Sequence, residues 1–376
     1  MTKEEELVLY LDSLKEYGIP SADCMIYENH RQIFRHFTGV TDETKTRPID
    51  GNERYLMFSM TKVQTMTAFL QLVEQGKVSP EDEVGKYLPA YRNLTVCQNG
   101  ATFPLKSPLK LKHLVSMQSG LDYNLERPGI VRVLKERGEA ATTREFVDAF
   151  VESPLNFVPG ECFCYSLSHD VVAAVIEEVS QMSFGTYLRK NIWEPLGMGE
   201  TFFARPDNSA VERLAAQYIC DEKGNITLMD KSCVYQFNNR YESGGAGLIS
   251  CTADYMKLAD ALACGGVGMN GARILKEETV NFMKTNLLCE NSRLFLAKTM
   301  GRIGYGYGCG VQILMEPEQI GSCAPTGVFG WDGAAGSCII MDTASKRSLV
   351  YIMHVRSCGV AYSVIHPRLR EFLFEL

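Results

Sequence analysis

At 376 residues, 45% hydrophobic and 22% charged, the chain can bury a large core as one big domain or two closely joined regions. Its 45 acidic and 38 basic side chains leave a net charge of −7, which argues against nucleic acid or an anionic membrane as the main partner. No apolar run reaches membrane-spanning length, and the acidic start Met1-Thr-Lys-Glu-Glu-Glu-Leu7 lacks a signal-peptide core, so a cytoplasmic protein is expected.

Residues 3 to 17 read as an amphipathic helix, and Met25 to Thr38 as a strand pair with a polar turn near Glu28–His30. Tyr55–Phe58 leads into the stretch from Phe58 to Gly76, which reads as one helix of about five turns. Gly76 stands where helices end in a left-handed residue. Val63, Met66, Phe69, Leu70, Leu72 and Val73 cover most of that helix and leave a narrow polar strip of Gln64, Gln71, Glu74 and Gln75. Beyond it, Pro80, Pro89, Pro104, Pro108, Pro128, Pro154, Pro159 and Pro195 punctuate short helices at Leu109–Gln118, Thr143–Glu152, His169–Ser180 and Phe184–Trp193. From Tyr241 the texture changes again. Gly244-Gly-Ala-Gly247 precedes a helix at Ala253–Ala263, strand-like runs follow at Tyr305–Leu314, Gly336–Met341 and Leu349–His354, and a helix near His366–Phe374 closes the chain. Strands at both ends with helices between predict an α+β fold: an antiparallel sheet of about five strands built from both termini, with a helical insert.

Ser59 and Lys62 share one face of the predicted helix start, where hydroxyl and ammonium can meet and the helix dipole is positive. That is one way to activate a weak nucleophile, although Ser and Thr are also ordinary helix caps. A second Ser-x-x-Lys at Ser107-Pro-Leu-Lys110 leads into no long buried helix. Tyr165, in Pro159-Gly-Glu-Cys-Phe-Cys-Tyr165, falls just before a helix and can either present its phenol to a cleft or tie it to backbone. In Val328-Phe-Gly-Trp-Asp-Gly333, glycines beside a strand permit close approach of another backbone, as an oxyanion-binding site needs and as a plain hairpin also has. Gly266-x-Gly268-x-x-Gly271 follows a helix instead of a strand and reads as a turn. Thirteen scattered cysteines, with no Cys-x-x-Cys, read as reduced thiols; Cys162 and Cys164 are not read as a metal site, and no metal or cofactor is expected.

Together these segments resemble the serine β-lactamase and penicillin-binding-protein superfamily, closest to class C β-lactamases, β-lactamase-like esterases and D-amino peptidases. Ser59-Met-Thr-Lys62 matches the Ser-x-x-Lys motif, Tyr165-Ser-Leu167 stands at Tyr-x-Asn, and Trp331-Asp-Gly333 stands at Lys/His-Thr/Ser-Gly. Connecting text at Ser119-Gly-Leu121, Val158-Pro-Gly160, Glu194-Pro-Leu-Gly-Met198 and Gly244–Ser250 matches as well. Tyr27-Glu-Asn29 and Tyr91-Arg-Asn93 lie outside it.

The resemblance implies Ser59 as acylated nucleophile, Lys62 as its proton partner, Tyr165 as proton shuttle, and the backbone N–H groups of Ser59 and Ala334 as oxyanion hole. It implies two regions, 1–80 with 235–376 and a mainly helical 81–234, with the site between them. The departures bear on the substrate. Leu167 lacks the amide of the motif's Asn, Trp331 replaces a cation and reads as an apolar wall, and Asp332 adds a negative charge beside Gly333. Arg356 could restore a positive charge, but its place is not legible. These changes favour a small neutral or cationic ester or amide as substrate. A weak β-lactamase or D-amino-acid peptidase is the alternative, and a non-catalytic ligand-binding homologue is another.

Overall fold

The computed structural model describes residues 1–203, 213–229 and 237–376. Both ends of the chain meet in one sheet. Ser21–Glu28 (β1) and Arg31–Gly39 (β2) form an N-terminal hairpin. Five strands from the far end join it: Tyr305–Tyr307 (β3), Gln312–Leu314 (β4), Phe329–Asp332 (β5), Cys338–Asp342 (β6) and Arg347–Ile352 (β7). The order is β3-β4-β5-β6-β7-β1-β2, antiparallel throughout. Among the described residues the sheet therefore has seven strands, not about five. The glycine-laced run at 305–314 doubles back at Gly310, whose φ is +71°, and the segment around Trp331, not among the predicted strand-like runs, is itself a strand.

Alternation along the strands sorts the side chains into two cores, as a period of two requires. Cys24, Ile26, Cys338, Leu349 and Tyr351 face the terminal helices Lys3–Ser13 and His366–Glu375. Met25, Ile339, Met341, Val350 and Ile352 face the opposite way, into the main core with the helix Thr252–Ala263. The N-terminal helix begins with a reciprocal cap in which Thr2 bonds the Glu5 N–H and Glu5 bonds the Thr2 N–H.

The stretch expected as one helix from Phe58 has two parts. A 3₁₀ turn at Phe58–Met60 precedes the α-helix Thr61–Glu74 (α1). Gly76 ends it with φ +66°, its N–H on the Val73 carbonyl (2.9 Å) and the Lys77 N–H on that of Leu72 (3.0 Å). Part of the narrow polar strip is buried too. Gln64 accepts from the Trp193 indole at 2.6 Å, and Gln71 donates to the Asn191 and Ile274 carbonyls. Against α1 packs the helix Ser168–Ser180 (α2), buried from Ser168 through Ile176. The helices at Pro128–Arg137, Glu277–Met283 and Glu290–Met300 were not anticipated. Residue 235, the expected region boundary, lies outside the described residues. Among the described residues no helix is long and apolar enough to cross a membrane.

Candidate active site

A short ladder positions Ser59. Tyr55–Leu56 pairs with Leu248–Ser250, and the Met57 N–H bonds the Leu248 carbonyl at 2.8 Å, which draws the 244–247 glycine turn against the start of α1. Phe58 then takes φ +44°, a left-handed conformation costing a non-glycine residue about 1–3 kcal/mol. The bend leaves Ser59 half-exposed above a fully buried Lys62. Lys62 Nζ donates to Ser59 Oγ (3.1 Å), the Tyr123 hydroxyl (2.8 Å) and the Gly245 carbonyl (2.6 Å). These use all three N–H groups of an ammonium. With one proton fewer, the amine can keep two of these bonds and turn a lone pair toward the Ser59 hydroxyl.

Burial pulls the Lys62 ammonium down to about 7, against the opposing attraction of Asp170 and Asp332. Tyr165 behaves differently. Its ring lies 4.6 Å from Lys62 Nζ, and its hydroxyl accepts the Trp331 indole N–H at 3.0 Å. Burial pushes that phenol far above its ordinary range, although hydrogen bonds with Ser59 and Trp331 pull the other way. Tyr165 therefore stays protonated near neutral pH, and Lys62 is the group of the pair able to change charge there. Tyr123, Tyr165, Trp331 and Tyr307 form a chain of ring contacts, with centroids 5.3, 5.5 and 5.0 Å apart.

The structure brings Ser59, Lys62, Tyr165 and Trp331 together and revises the reading of several neighbours. Leu167, at the start of α2, is 1% exposed within the main core and offers a substrate no accessible surface. Trp331 is equally buried. It is no apolar wall but a donor holding the Tyr165 hydroxyl. Asp332 is buried in an ion pair with Arg302, so the negative charge expected beside Gly333 is matched. Gly333 meets the Met57 carbonyl so closely that an added Cβ would lie 2.6 Å from that oxygen. Ala334 is exposed in the β5–β6 turn. Arg356 lies with its guanidinium 5.4 Å from the Phe58 ring, beside the residue that precedes Ser59.

Two members of the cluster were missed by sequence reading: Tyr123 and the Gly245 carbonyl. Their signals were present, since Tyr123 lies two residues past Ser119-Gly-Leu121 and Gly245 sits in the glycine turn, but both runs were treated as connecting text. Among the described residues one group, His30, Asp260 and Cys264, brings three metal-ligating atom types within 4.8 Å. Asp260 there accepts the His30 N–H (3.0 Å) and faces its Nδ1 (2.7 Å), which ties the β1–β2 turn to the helix Thr252–Ala263.

Comparison with known proteins identifies the family. The beta-lactamase family matches residues 9–359. The chain is 23% identical to esterase EstB of Burkholderia gladioli over 372 residues, covering 93% of this chain and 89% of that protein. It superposes on EstCE1, a hydrolase with promiscuous acyltransferase activity, with a TM-score of 0.81, 22% identity, and 99% and 98% of the two chains covered. A D-stereospecific amidohydrolase from Streptomyces sp. gives 0.68 at 21% identity, covering 97% and 96%. The chain belongs to the beta-lactamase family of serine hydrolases.

Proposed function

We propose that the protein hydrolyses small esters or amides through an acyl-enzyme on Ser59, at a site between the region formed by 1–80 with 235–376 and the helical region 81–234. The observation that carries this reading is the 3.1 Å contact of a buried, easily deprotonated Lys62 with a half-exposed Ser59. Ser59 Oγ attacks the acyl carbon as its proton passes to Lys62 Nζ. The Ser59 and Ala334 N–H groups receive the developing oxyanion. On collapse the leaving alcohol or amine takes a proton relayed from Lys62 through Tyr165. Water then attacks the acyl-enzyme by the same route in reverse and frees the acid.

In this reading Tyr165 works as a phenol, oriented by Trp331. Trp331→Phe keeps an aromatic ring but removes the indole N–H and half of the bicyclic ring system, so kcat for p-nitrophenyl butyrate is expected to fall about tenfold with little change in KM. An unchanged kcat would refute that role. A second reading, hydrolysis of a D-amino-acid peptide bearing a carboxylate, gains support from Arg356 near Phe58 and from the matched charge of Asp332.

The test compares the protein and Ser59→Ala on p-nitrophenyl acetate or butyrate, a chromogenic cephalosporin and a D-alanyl amide. Ester turnover lost in Ser59→Ala, with a fluorophosphonate adduct seen by intact mass only in the unsubstituted protein, is expected. Turnover that survives Ser59→Ala sinks the nucleophile, and absence of both turnover and adduct favours a non-catalytic ligand binder. Fast cephalosporin turnover would overturn the ester preference.

A further inference from the structure

Asp170, in the first turn of α2, is wholly buried. Its Oδ1 accepts the Tyr241 and Ser243 hydroxyls, each at 2.7 Å. Its Oδ2 has no hydrogen-bond partner among the described residues. A buried carboxylate with one bare oxygen is unfavourable unless an opposite charge stands near. Gly245 shows where that charge is. A Cβ built on it would lie 2.7 Å from Asp170 Oδ2, 3.0 Å from the Tyr123 hydroxyl and 3.5 Å from Lys62 Nζ. The missing side chain leaves one gap onto which carboxylate, phenol and ammonium all face, while the Gly245 carbonyl anchors Lys62 from the same residue. Burial raises the Asp170 carboxyl above its ordinary value, while the Ser243 and Tyr241 hydroxyls, the Lys62 ammonium and, least, the Gly245 N–H (itself on Ser243 Oγ at 3.2 Å) pull it back toward the charged form.

We propose that Asp170 is the positioning counter-ion of Lys62, and that its bare Oδ2, facing the ammonium across the space left by Gly245, sets how readily Lys62 takes and returns the Ser59 proton. The inference rests on the role given to Lys62 above. Asp170 does not touch the reacting atoms. The other groups bearing on Lys62 are Ser59, Tyr123 and Tyr165 in contact, the more distant Asp332, and His169, which burial keeps neutral with its value lowered to about 3. Around Asp170 the titratable neighbours are Tyr241 and Tyr91, both phenols. Helix α2 points its positive N-terminal end at the carboxylate and supports its charged form.

The test is the rate at which a fluorophosphonate phosphonylates Ser59, with loss of fluoride, between about pH 5 and 10, measured for the unsubstituted protein, Asp170→Asn and Asp170→Glu. Asn preserves the Oδ1 acceptor and removes the charge. The midpoint of the rising limb is expected to move down by about one pH unit or more, a tenfold change in protonation equilibrium, with KM for p-nitrophenyl butyrate unchanged. Asp170→Glu is expected to bring it back toward the original value. A folded Asp170→Asn protein with an unmoved midpoint overturns the inference, and so does a Glu variant that matches Asn. If Asp170→Asn does not fold, Gly245→Ala is measured in its place, because its methyl displaces Oδ2 and shifts the midpoint the same way; an unmoved midpoint there overturns the inference equally. Phosphonylation that persists in Ser59→Ala would instead condemn the underlying reading of the site.

Discussion

Replacing Lys62 with Met is expected to lower ester turnover by about a thousandfold, the scale of losing a positioned general base, and to leave the protein melting no lower than before. The two halves of this result have one cause. Lys62 is fully buried, and burial brings its ammonium down to about 7. A lysine whose folded value lies below its unfolded one carries its full burial penalty below about pH 7, and the penalty fades as pH rises from there toward the unfolded value. Met fills a similar volume and carries no such penalty, although it gives up bonds to Gly245 and Tyr123. The same amine fixes the pH profile of the unsubstituted protein. Only the neutral form can accept the Ser59 proton, so acylation rises through about pH 7 and levels off above it. Thermal melts and a pH–rate series check both halves. A Met variant that melts several degrees lower, or a flat profile, would count against this account.

Gly333→Ala is expected to reduce acylation by about a hundred- to a thousandfold, as loss of an oxyanion donor does, and to destabilise the protein by about 1–3 kcal/mol. The added methyl would stand 2.6 Å from the Met57 carbonyl oxygen and 2.5 Å from Ser337 Oγ. A serine rotamer can move away, but Met57 is backbone, one peptide before Phe58 and held by Leu248. Relief must therefore separate the β5–β6 turn that carries Ala334 from the turn that carries Ser59, which widens the distance between the two proposed oxyanion donors. The acylation burst with p-nitrophenyl butyrate and denaturant melts measure the two effects. A variant that acylates at the original rate would show that the contact does not govern the site.

How much of this was legible depends on the range of the interaction. Ser59 and Lys62 lie three residues apart at a helix start, so local geometry alone predicts their meeting, and they meet at 3.1 Å. The left-handed end at Gly76, the hairpin near Glu28–His30 and the helices at both termini are equally local and stand in the structure. Strand number was underestimated because Gly306, Gly308 and Gly330 weaken the alternating pattern that marks a strand, and because the 305–314 segment pairs with itself.

Residue types at motif positions proved a poorer guide to surroundings. Leu167, Trp331 and Asp332 were read as facing a substrate because family counterparts do, but burial and partners are properties of the packed molecule. Leu167 joined the core, Trp331 turned its N–H to Tyr165, and Asp332 found Arg302, thirty positions earlier. By itself, then, the sequence determined the family, the helix-borne Ser59–Lys62 pair and the order of the motifs, all written in short-range spacing. Only the tertiary structure decided the state of that pair. The desolvation of Lys62, its contacts with Tyr123 and Gly245, and the carboxylate of Asp170 across an empty Cβ position come from segments 61 to 183 residues away. Charge in a buried site is set by what the fold brings near, not by neighbours along the chain.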